Sequence, residues 1–347
     1  MTSQRLDRAD MDASTGAVAD AVTPTPDIGV GLVGDIGATN ARFALVSADG
    51  KESVARVYAL ADFASLTDAI DTYLREEAAP ASPVQAVLAV ASPVTGDQVT
   101  LTNHPWTFSV EALCRHFGLK HLRIINDFAA NAAAIPYLAK QDLIQIGGGE
   151  PVKNAPIGVI GPGTGLGVSA LVFSDDGAVT IAGEGGHITM APATAEESAI
   201  LDLLRTRYDH VSAERLLSGA GLVNLYNARC ELEKTPAASY TAEQITSPLI
   251  WNEDARTRAA TAMFCAMLGT VAGDLALTLG ARGGIYIAGG IVPRIAAFFA
   301  QSEFRARFEA KGRLGAYLAT IPTYIIERPL PALLGAAVLL KDRRRVS

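Results

Sequence analysis

The 347-residue sequence has few cysteines and a deficit of positive charge. Its three cysteines, Cys114, Cys230 and Cys265, are far apart and form no Cys-x-x-Cys pair, so neither a disulfide framework nor a cysteine-rich zinc site is predicted. Lys and Arg number 29 against 36 Asp and Glu, which gives a formal net charge of −7. Proteins that coat DNA or RNA need basic residues in excess to neutralise phosphates, so that class is excluded.

Long uninterrupted hydrophobic runs are absent as well. The most apolar region, 259–300, is interrupted by Asp274, Arg282 and Arg294, and it falls short of the ~18 apolar residues of a membrane helix. Residues 1–27 contain no apolar run of signal-peptide length and are predicted to form a disordered tail. These features predict a soluble, cytoplasmic protein with no membrane partner.

The sequence does contain alternating strand-like and helix-like segments. Apolar runs predict strands at 84–90, 122–125, 157–160, 168–173 and 285–288. Helical spacing and capping residues predict helices over 65–77, 110–117, 128–138, 194–204, 254–279 and 331–340, with a capping box formed by Thr194 and Glu197. This alternation predicts an α/β fold. The length, with 49% hydrophobic residues, is sufficient for two domains with separate cores.

Two segments resemble each other within the chain. Residues 31–46 and 158–172 both run from an apolar strand through a Gly/Thr turn into a second apolar strand. The similarity indicates two domains that each open with the same hairpin. Chance similarity between Gly- and Val-rich strands explains the pattern equally well.

The first of these turns, 35–40, has small residues whose backbone N–H groups can approach an anion. Thr39 and Asn40 add side-chain donors, and the Asp35 carboxylate could hold Mg²⁺ directly or through water. An ordinary hairpin turn uses the same residue types. The second turn, 161–167, has four glycines where a plain hairpin needs one or two, which favours close approach of its backbone to a phosphate.

Two common nucleotide-binding motifs do not apply. No Gly-x-x-x-x-Gly-Lys-Ser/Thr sequence occurs, so the P-loop is absent. Gly29-x-Gly31-x-x-Gly34 matches the dinucleotide pattern, but it lies within a predicted strand and no helix follows it. We interpret that match as coincidental.

Polar residues at the ends of predicted elements complete the candidate site. Asn126 and Asp127 follow a strand and open a helix, where they could cap the helix or supply a base. Glu184 and His187 share a short glycine turn that could also be a solvent-exposed turn, and Glu214 could complement a helix dipole instead of binding a ligand. A glycine pair that could approach a nucleotide base follows the strand at 285–288, at Gly289 and Gly290.

Together these groups suit phosphoryl transfer to a polyol. That reaction needs positioned substrates, neutralised phosphate charge and a carboxylate that aligns the attacking hydroxyl. Seven segments in order also resemble the bacterial glucokinase family, and the resemblance runs from about residue 29 to 340. They are 32–42, 101–106, 124–128, 161–167, 183–187, 211–215 and 287–294.

The resemblance implies the two-domain actin-like ATPase (ribonuclease H-like) fold, with the active site in the cleft between the domains. Its domains would be 28–137 plus 328–347 and 138–327. Because the family often forms dimers, a homodimer is implied. Ala38 stands where the family usually has Gly, and its methyl group requires a negative φ there.

The resemblance also implies a role for each matching residue in ATP-dependent phosphorylation of glucose. Asp127 would be the general base on the sugar 6-hydroxyl, and Asp35 would organise Mg²⁺ through water. The sugar hydroxyls would be held by Asn126, Asp127, Glu184, His187 and Glu214. ATP would be held by Asp35, Gly37, Thr39, Asn40, Gly163, Thr164, Gly165, Gly289 and Gly290.

Three alternatives remain at the level of sequence. The enzyme could act on another hexose such as mannose or fructose, or it could use polyphosphate as the donor. A non-catalytic sugar-binding or actin-like protein is the alternative from another class, and it predicts loss of the catalytic carboxylate. Asp127 is present, which favours an enzyme.

Overall fold

The computed structural model describes residues 30–77, 82–175 and 177–342, so the predicted tail 1–27 lies outside the described residues. Its strands are β1 (Gly31–Ile36), β2 (Asn40–Val46), β3 (Arg56–Ala59), β4 (Gln85–Val90), β5 (Gln98–Thr100), β6 (Thr107–Ser109), β7 (His121–Asn126), β8 (Leu143–Gln145), β9 (Ile157–Pro162), β10 (Leu166–Ser174), β11 (Gly177–Gly183), β12 (Ile285–Ile287) and β13 (Thr323–Ile326). Its α-helices are α1 (Leu66–Glu76), α2 (Val110–His116), α3 (Asp127–Ala134), α4 (Ala195–Arg205), α5 (Gly219–Leu232), α6 (Ala242–Ile245), α7 (Pro248–Glu253), α8 (Ala255–Leu279), α9 (Ala296–Ala300), α10 (Phe304–Glu309), α11 (Gly315–Ala319) and α12 (Pro331–Lys341).

Two sheets of related topology organise these elements. The first has the order β3-β2-β1-β4-β7, and the second has the order β11-β10-β9-β12-β13-β8. In the first sheet β1 pairs antiparallel with β2 and parallel with β4, and in the second β9 pairs antiparallel with β10 and parallel with β12. The two similar sequence segments therefore form equivalent hairpins, one in each sheet.

The first sheet is covered on both faces, which explains its nearly continuous apolar strands. Leu32 on β1 belongs to the same core cluster as Tyr73 on α1. The next residue, Val33, points to the opposite face and packs in a cluster with Leu333 on α12. Because side chains alternate along β1, α1 packs on one face of the first sheet and α12 packs on the other.

The chain passes from one sheet to the other through α3 and through the segment 327–330. The helix α3 follows β7 of the first sheet and precedes β8 of the second, while 327–330 joins β13 to α12. The helices α3 and α12 pack closely, since a Cβ added to Gly335 would lie 1.8 Å from the carbonyl oxygen of Ala130. These two connections meet beside the cleft described below.

The predicted helices are present, with one boundary corrected. The helix expected over 128–138 ends as an α-helix at Ala134 and continues as a 3-10 turn over Ile135–Tyr137. Pro136 lies in that turn and has no backbone N–H with which to continue the α-helix.

The predicted capping box at the start of α4 is only half formed. Thr194 caps the helix by accepting a hydrogen bond from the Glu197 N–H, at 3.2 Å. The Glu197 carboxylate does not return to Thr194 but accepts from the Ala193 N–H at 2.6 Å and from Arg307 at 2.7 Å. Glu197 is 2% exposed, and a buried carboxylate is stabilised far more by a guanidinium than by a single amide.

The helix α8 is long and apolar enough to cross a membrane, contrary to the sequence expectation. Of the three charged interruptions noted above, only Asp274 lies within the helix, and the mean hydropathy of its most apolar window is 1.7. In the structure 61% of that window is buried. Its apolar residues form part of the core of the second sheet, as Phe264 and Leu268 illustrate.

Candidate active site

A cleft of about 690 Å³ lies where the two hairpins and α3 meet. All fourteen residues proposed from the sequence line it, although they come from distant parts of the chain. They are Asp35, Gly37, Thr39, Asn40, Asn126, Asp127, Gly163, Thr164, Gly165, Glu184, His187, Glu214, Gly289 and Gly290.

The β1–β2 turn forms one wall of the cleft. It is closed by a hydrogen bond of 3.0 Å from the Gly37 N–H to the Asn40 carbonyl oxygen, and Asn40 Nδ2 donates to Thr39 Oγ1. Ala38 is not among the described residues with positive φ, so its backbone meets the requirement stated for a methyl group there. The turn is therefore regular and presents Thr39 and Asn40 to the cleft.

Asp35 lies at the base of this turn beside Arg42. Arg42 Nη1 is 3.4 Å from Asp35 Oδ2. Burial raises the pKa of the Asp35 carboxyl, and the charge of Arg42 opposes that rise. A cation placed near this carboxylate would compensate for its lost hydration.

Asn126 and Asp127 lie at the junction of β7 and α3. Asn126 is the helix N-cap, and its Oδ1 accepts from the backbone N–H groups of Phe128 and Ala129 at 2.9 and 3.1 Å. Both hydrogen bonds of Asn126 Oδ1 are therefore used in capping α3. Asn126 also lines the cleft. The cap holds Asp127 at the first turn of α3, where it faces the cleft.

The surroundings of Asp127 raise the pKa of its carboxyl group. Burial raises the pKa of Asp127 to about 7, the nearby charges of Asp35 and Glu184 add to the rise, and the Phe128 N–H opposes it. That N–H donates to Asp127 Oδ1 at 2.9 Å. A carboxylate with a pKa near neutrality in a cleft is suited to accept a proton.

Close approach to a ligand explains only some of the glycines in the second turn, 161–167. A Cβ added to Gly167 would lie 2.0 Å from the Phe128 ring, and one added to Gly161 would lie 2.7 Å from the same ring. These two glycines therefore make room for Phe128. Around Gly163, by contrast, a Cβ would meet nothing within 4 Å, so this glycine is open to the cleft.

Glu214 joins the opposite side of the cleft to this turn. It lies in a 3-10 turn over Ala213–Arg215, and its Oε2 accepts a hydrogen bond of 2.8 Å from the Leu166 backbone N–H. A Cβ at Gly165 would lie 2.5 Å from the same oxygen. Gly165 thus admits the Glu214 carboxylate, a reason that local sequence could not reveal.

Glu184 and His187 bracket a 3-10 turn over Gly185–His187. The turn lies directly on β10, since a Cβ at Gly186 would be 2.1 Å from the Leu166 carbonyl oxygen. Its glycines allow this contact, and the turn presents both titratable side chains to the cleft. Glu184 and His187 are both exposed, so the turn is a surface turn whose side chains line the cleft.

The cleft offers only a few protein ligands for Mg²⁺ among the described residues. Within 30–77, 82–175 and 177–342, no group of three or more His, Cys, Asp or Glu could hold a metal by itself. Mg²⁺ is commonly held by one or two carboxylates, with waters and substrate phosphates completing its coordination. The buried Asp35 carboxylate beside the β1–β2 turn fits that kind of site.

Sequence reasoning missed several polar residues of the cleft. Thr102 and Asn103 line it from the turn after β5, where the buried Ser92 hydroxyl accepts from the Thr102 N–H at 2.7 Å. They belong to the segment 101–106, whose family resemblance was the available signal. Asn131 and Arg328 also line the cleft, and no sequence pattern marked either residue.

The two equivalent sheets and the cleft between them define the actin-like ATPase fold. The family model described as Glucokinase matches residues 32–343, which is most of the chain. The chain belongs to the glucokinase family.

Several known glucokinases are similar to it over most of their length. A glucokinase of Paramagnetospirillum magneticum is 50% identical over 312 residues, covering 90% of this chain and 97% of that protein. A glucokinase of Chromobacterium violaceum is 48% identical over 320 residues and 92% of each chain. The crystal structure of a glucokinase from an Antarctic psychrotroph has a TM-score of 0.81 and 39% identity, covering 90% of this chain and 98% of that one.

Proposed function

We propose that this protein transfers the γ-phosphoryl group of ATP to the 6-hydroxyl of glucose, with Asp127 as the general base. The observation that carries the proposal is the position of Asp127, which faces the cleft at the start of α3 and has a pKa raised by burial to about 7. Membership of the glucokinase family supports the same activity.

The chain's own residues supply binding and proton transfer. Asn126, Glu184, His187 and Glu214 would bind the sugar hydroxyls, and each lines the cleft. Paired hydrogen bonds to every hydroxyl make a sugar lacking one of them bind poorly, because a buried partner is left unsatisfied. As the 6-hydroxyl attacks, Asp127 would take its proton and keep the oxygen nucleophilic.

The two hairpin turns would hold the nucleotide. The backbone around Gly37 and Gly163, with Thr39, Asn40 and Thr164, would contact the phosphates from opposite walls, and Gly289 with Gly290 would approach the adenosine. Gly290 has nothing within 4 Å of an added Cβ, which leaves room for a ligand. Mg²⁺ held by Asp35 through water would neutralise phosphate charge when bound.

Replacement of the proposed base is the most direct test. Asp127→Ala is expected to lower kcat by about 10²–10⁴-fold while glucose binding, measured by calorimetry, is largely kept. Asp202→Ala, an exposed carboxylate on α4, is the control and should leave both quantities unchanged. Unchanged turnover in Asp127→Ala would contradict the mechanism.

Substrate identity has its own assay. Purified protein would be supplied with glucose, mannose or fructose and with ATP or polyphosphate. We expect the fastest turnover with glucose and ATP. Faster turnover on mannose or fructose would replace the sugar assignment, and faster turnover with polyphosphate would replace the donor.

Three further properties belong to the same proposal. The domains would be 28–137 plus 328–347 and 138–327, a division supported by the two sheets and by the packing of α12 on β1 and β4 of the first sheet. We also propose that the protein forms a homodimer and is located in the cytoplasm. Analytical ultracentrifugation and cell fractionation would test them.

A further inference from the structure

Phe128 occupies the space that side chains at Gly161 and Gly167 would fill. These two glycines are the first and last residues of the turn 161–167, and they lie opposite each other where β9 pairs with β10. A Cβ at Gly167 would lie 2.0 Å from the Phe128 ring, and one at Gly161 would lie 2.7 Å from it. A larger residue at either position would therefore displace the ring or the hairpin.

The backbone of the same residue contacts the proposed catalytic base. The Phe128 N–H donates to Asp127 Oδ1 at 2.9 Å and to the helix-capping Asn126 Oδ1 at 2.9 Å. Phe128 is partly buried and lines the cleft. One hydrogen bond and one packed ring thus connect the Asp127 carboxylate to the turn 161–167.

The helix α3 is held between the two sheets. On one side Ala130 and Ala133 pack in a cluster with residues of α12 and the first sheet, and on the other side Phe128 and Ala132 pack with residues of the second sheet. Phe128 is the only residue of α3 with a large apolar side chain. Its ring therefore sets the spacing between the first turn of α3 and the β9–β10 hairpin.

We propose that Phe128 is a positioning residue for phosphoryl transfer, and that its ring fixes the distance between the Asp127 carboxylate and the turn 161–167. The inference rests on the proposed function, in which Asp127 accepts the sugar proton and this turn contacts phosphate. The attacking hydroxyl and the phosphoryl group must be closely aligned, and a misplacement of about 1 Å can cost about 10²-fold in rate. Phe128 acts only through the two groups that it holds.

Phe128→Leu makes the side chain smaller and leaves the backbone N–H in place. We expect kcat to fall about tenfold or more, because the first turn of α3 can shift relative to the hairpin. The KM values for glucose and ATP should stay within about twofold of wild type, since no group proposed to bind either substrate is changed. A wild-type kcat, or a loss confined to KM, would overturn the inference. If Phe128→Leu does not fold, Phe128→Met carries the same expectation.

A second substitution restores part of the lost volume. Gly167→Ala adds a methyl group against the ring, so by itself it should also lower kcat. In the double variant Phe128→Leu/Gly167→Ala, the methyl group fills part of the space that the smaller side chain leaves. The kcat of the double variant should therefore exceed the value expected for independent effects by about fivefold or more. Independent effects on kcat would count against the proposed role.

Phe308→Leu separates positioning from a general loss of stability. Phe308 is fully buried on α10, belongs to the core of the second sheet and does not line the cleft. The substitution should lower the melting temperature, because it leaves a cavity in the core. At temperatures where the variant is folded, kcat should equal that of wild type. An equal fall of kcat in Phe308→Leu and Phe128→Leu would attribute both losses to destabilisation and refute the inference.

Crystal structures of the wild-type protein and of Phe128→Leu provide a readout that does not depend on activity. The distance from the Asp127 carboxyl carbon to Gly163 Cα should differ between them by about 0.5 Å or more, the tolerance of a positioned catalytic group. An unchanged distance would overturn the inference. Failure of the wild-type protein to phosphorylate glucose would instead overturn the proposed function, so the two failures are distinguishable.

Discussion

Glu214 Oε2 accepts a hydrogen bond of 2.8 Å from the backbone N–H of Leu166. The contact joins a proposed sugar-binding carboxylate to the first residue of β10, next to the turn proposed to contact phosphate. Glu214 thus supports β10 through Oε2, and in the proposed function it would also bind a sugar hydroxyl.

We therefore expect Glu214→Ala to affect both substrates. The substitution leaves the Leu166 N–H without its acceptor, which should lower the free energy of unfolding by about 1–3 kcal/mol. The KM for glucose should rise because a hydroxyl acceptor is lost, and the KM for ATP should rise because the turn loosens. Steady-state kinetics and chemical denaturation measure these effects.

Glu243→Ala is the control, since Glu243 is exposed and its ion pair with Arg294 is long, at 3.6 Å. It should be silent in both assays. If the KM for ATP did not change in Glu214→Ala, the link between the sugar carboxylate and the phosphate turn would be refuted.

The pKa of Asp127 predicts the dependence of activity on pH. A base with a pKa of about 7 is protonated below that pH, so kcat/KM for glucose should fall about tenfold for each pH unit well below 7. Measured pH–rate profiles would show this limb. A kcat/KM that stayed constant from pH 7 down to 5 would contradict Asp127 as the base.

The same shift predicts a dependence of stability on pH. Because the pKa of Asp127 is higher in the folded protein than in the unfolded chain, the folded state binds more protons between pH 4 and 7, and stability falls as pH rises through that window. Asp127→Asn removes this cost. Its melting temperature without ligands should exceed that of wild type at pH 8, and the difference should shrink toward pH 5.

The glycines of the second turn should respond differently to alanine. Gly167→Ala places a Cβ 2.0 Å from the Phe128 ring and should destabilise the protein by about 1–3 kcal/mol. Gly163→Ala meets no neighbour, so its melting temperature should not change, while its KM for ATP should rise if this backbone contacts phosphate.

A double variant checks the cause of the Gly167 effect. In the Gly167→Ala protein, Phe128→Leu should recover part of the lost stability, because a smaller side chain gives space to the added methyl group. Simple addition of the two single losses would argue against a direct clash.

The buried ion pair on α4 and α10 should be important for stability but not for catalysis. Arg307 donates to both carboxylate oxygens of Glu197, at 2.7 and 3.1 Å, and to Thr270 Oγ1 at 2.9 Å. Arg307→Met leaves a buried carboxylate without its partner and should cost about 3–5 kcal/mol of unfolding free energy. At temperatures where the variant is folded, kcat should equal that of wild type.

Arg115→Met provides the comparison, since Arg115 pairs with Glu111 on the exposed surface of α2. That change should cost no more than about 0.5 kcal/mol. Equal losses in the two variants would show that burial does not determine the strength of the pair.

Local chemistry made much of this site predictable. Turn residues such as Asp35 and Asn40, and the cap formed by Asn126, follow rules that operate over a few residues. The position of Asn131 beside the cleft could not be predicted in this way, because it depends on how α3 packs in the folded protein. Glu197 was assigned to a capping box for the same reason, since its actual partner, Arg307, is remote in sequence.

The sequence by itself determined the two hairpins, the helix that begins at Asp127 and fourteen of the residues that line the cleft. Neighbouring residues decide turns, caps and periodicity, so these features were accessible before the structure. Only the tertiary structure decided that Gly161 and Gly167 accommodate Phe128, that Gly165 admits Glu214 and that burial brings the pKa of Asp127 to about 7. Packing and desolvation arise between segments far apart in the chain, and no local pattern encodes them.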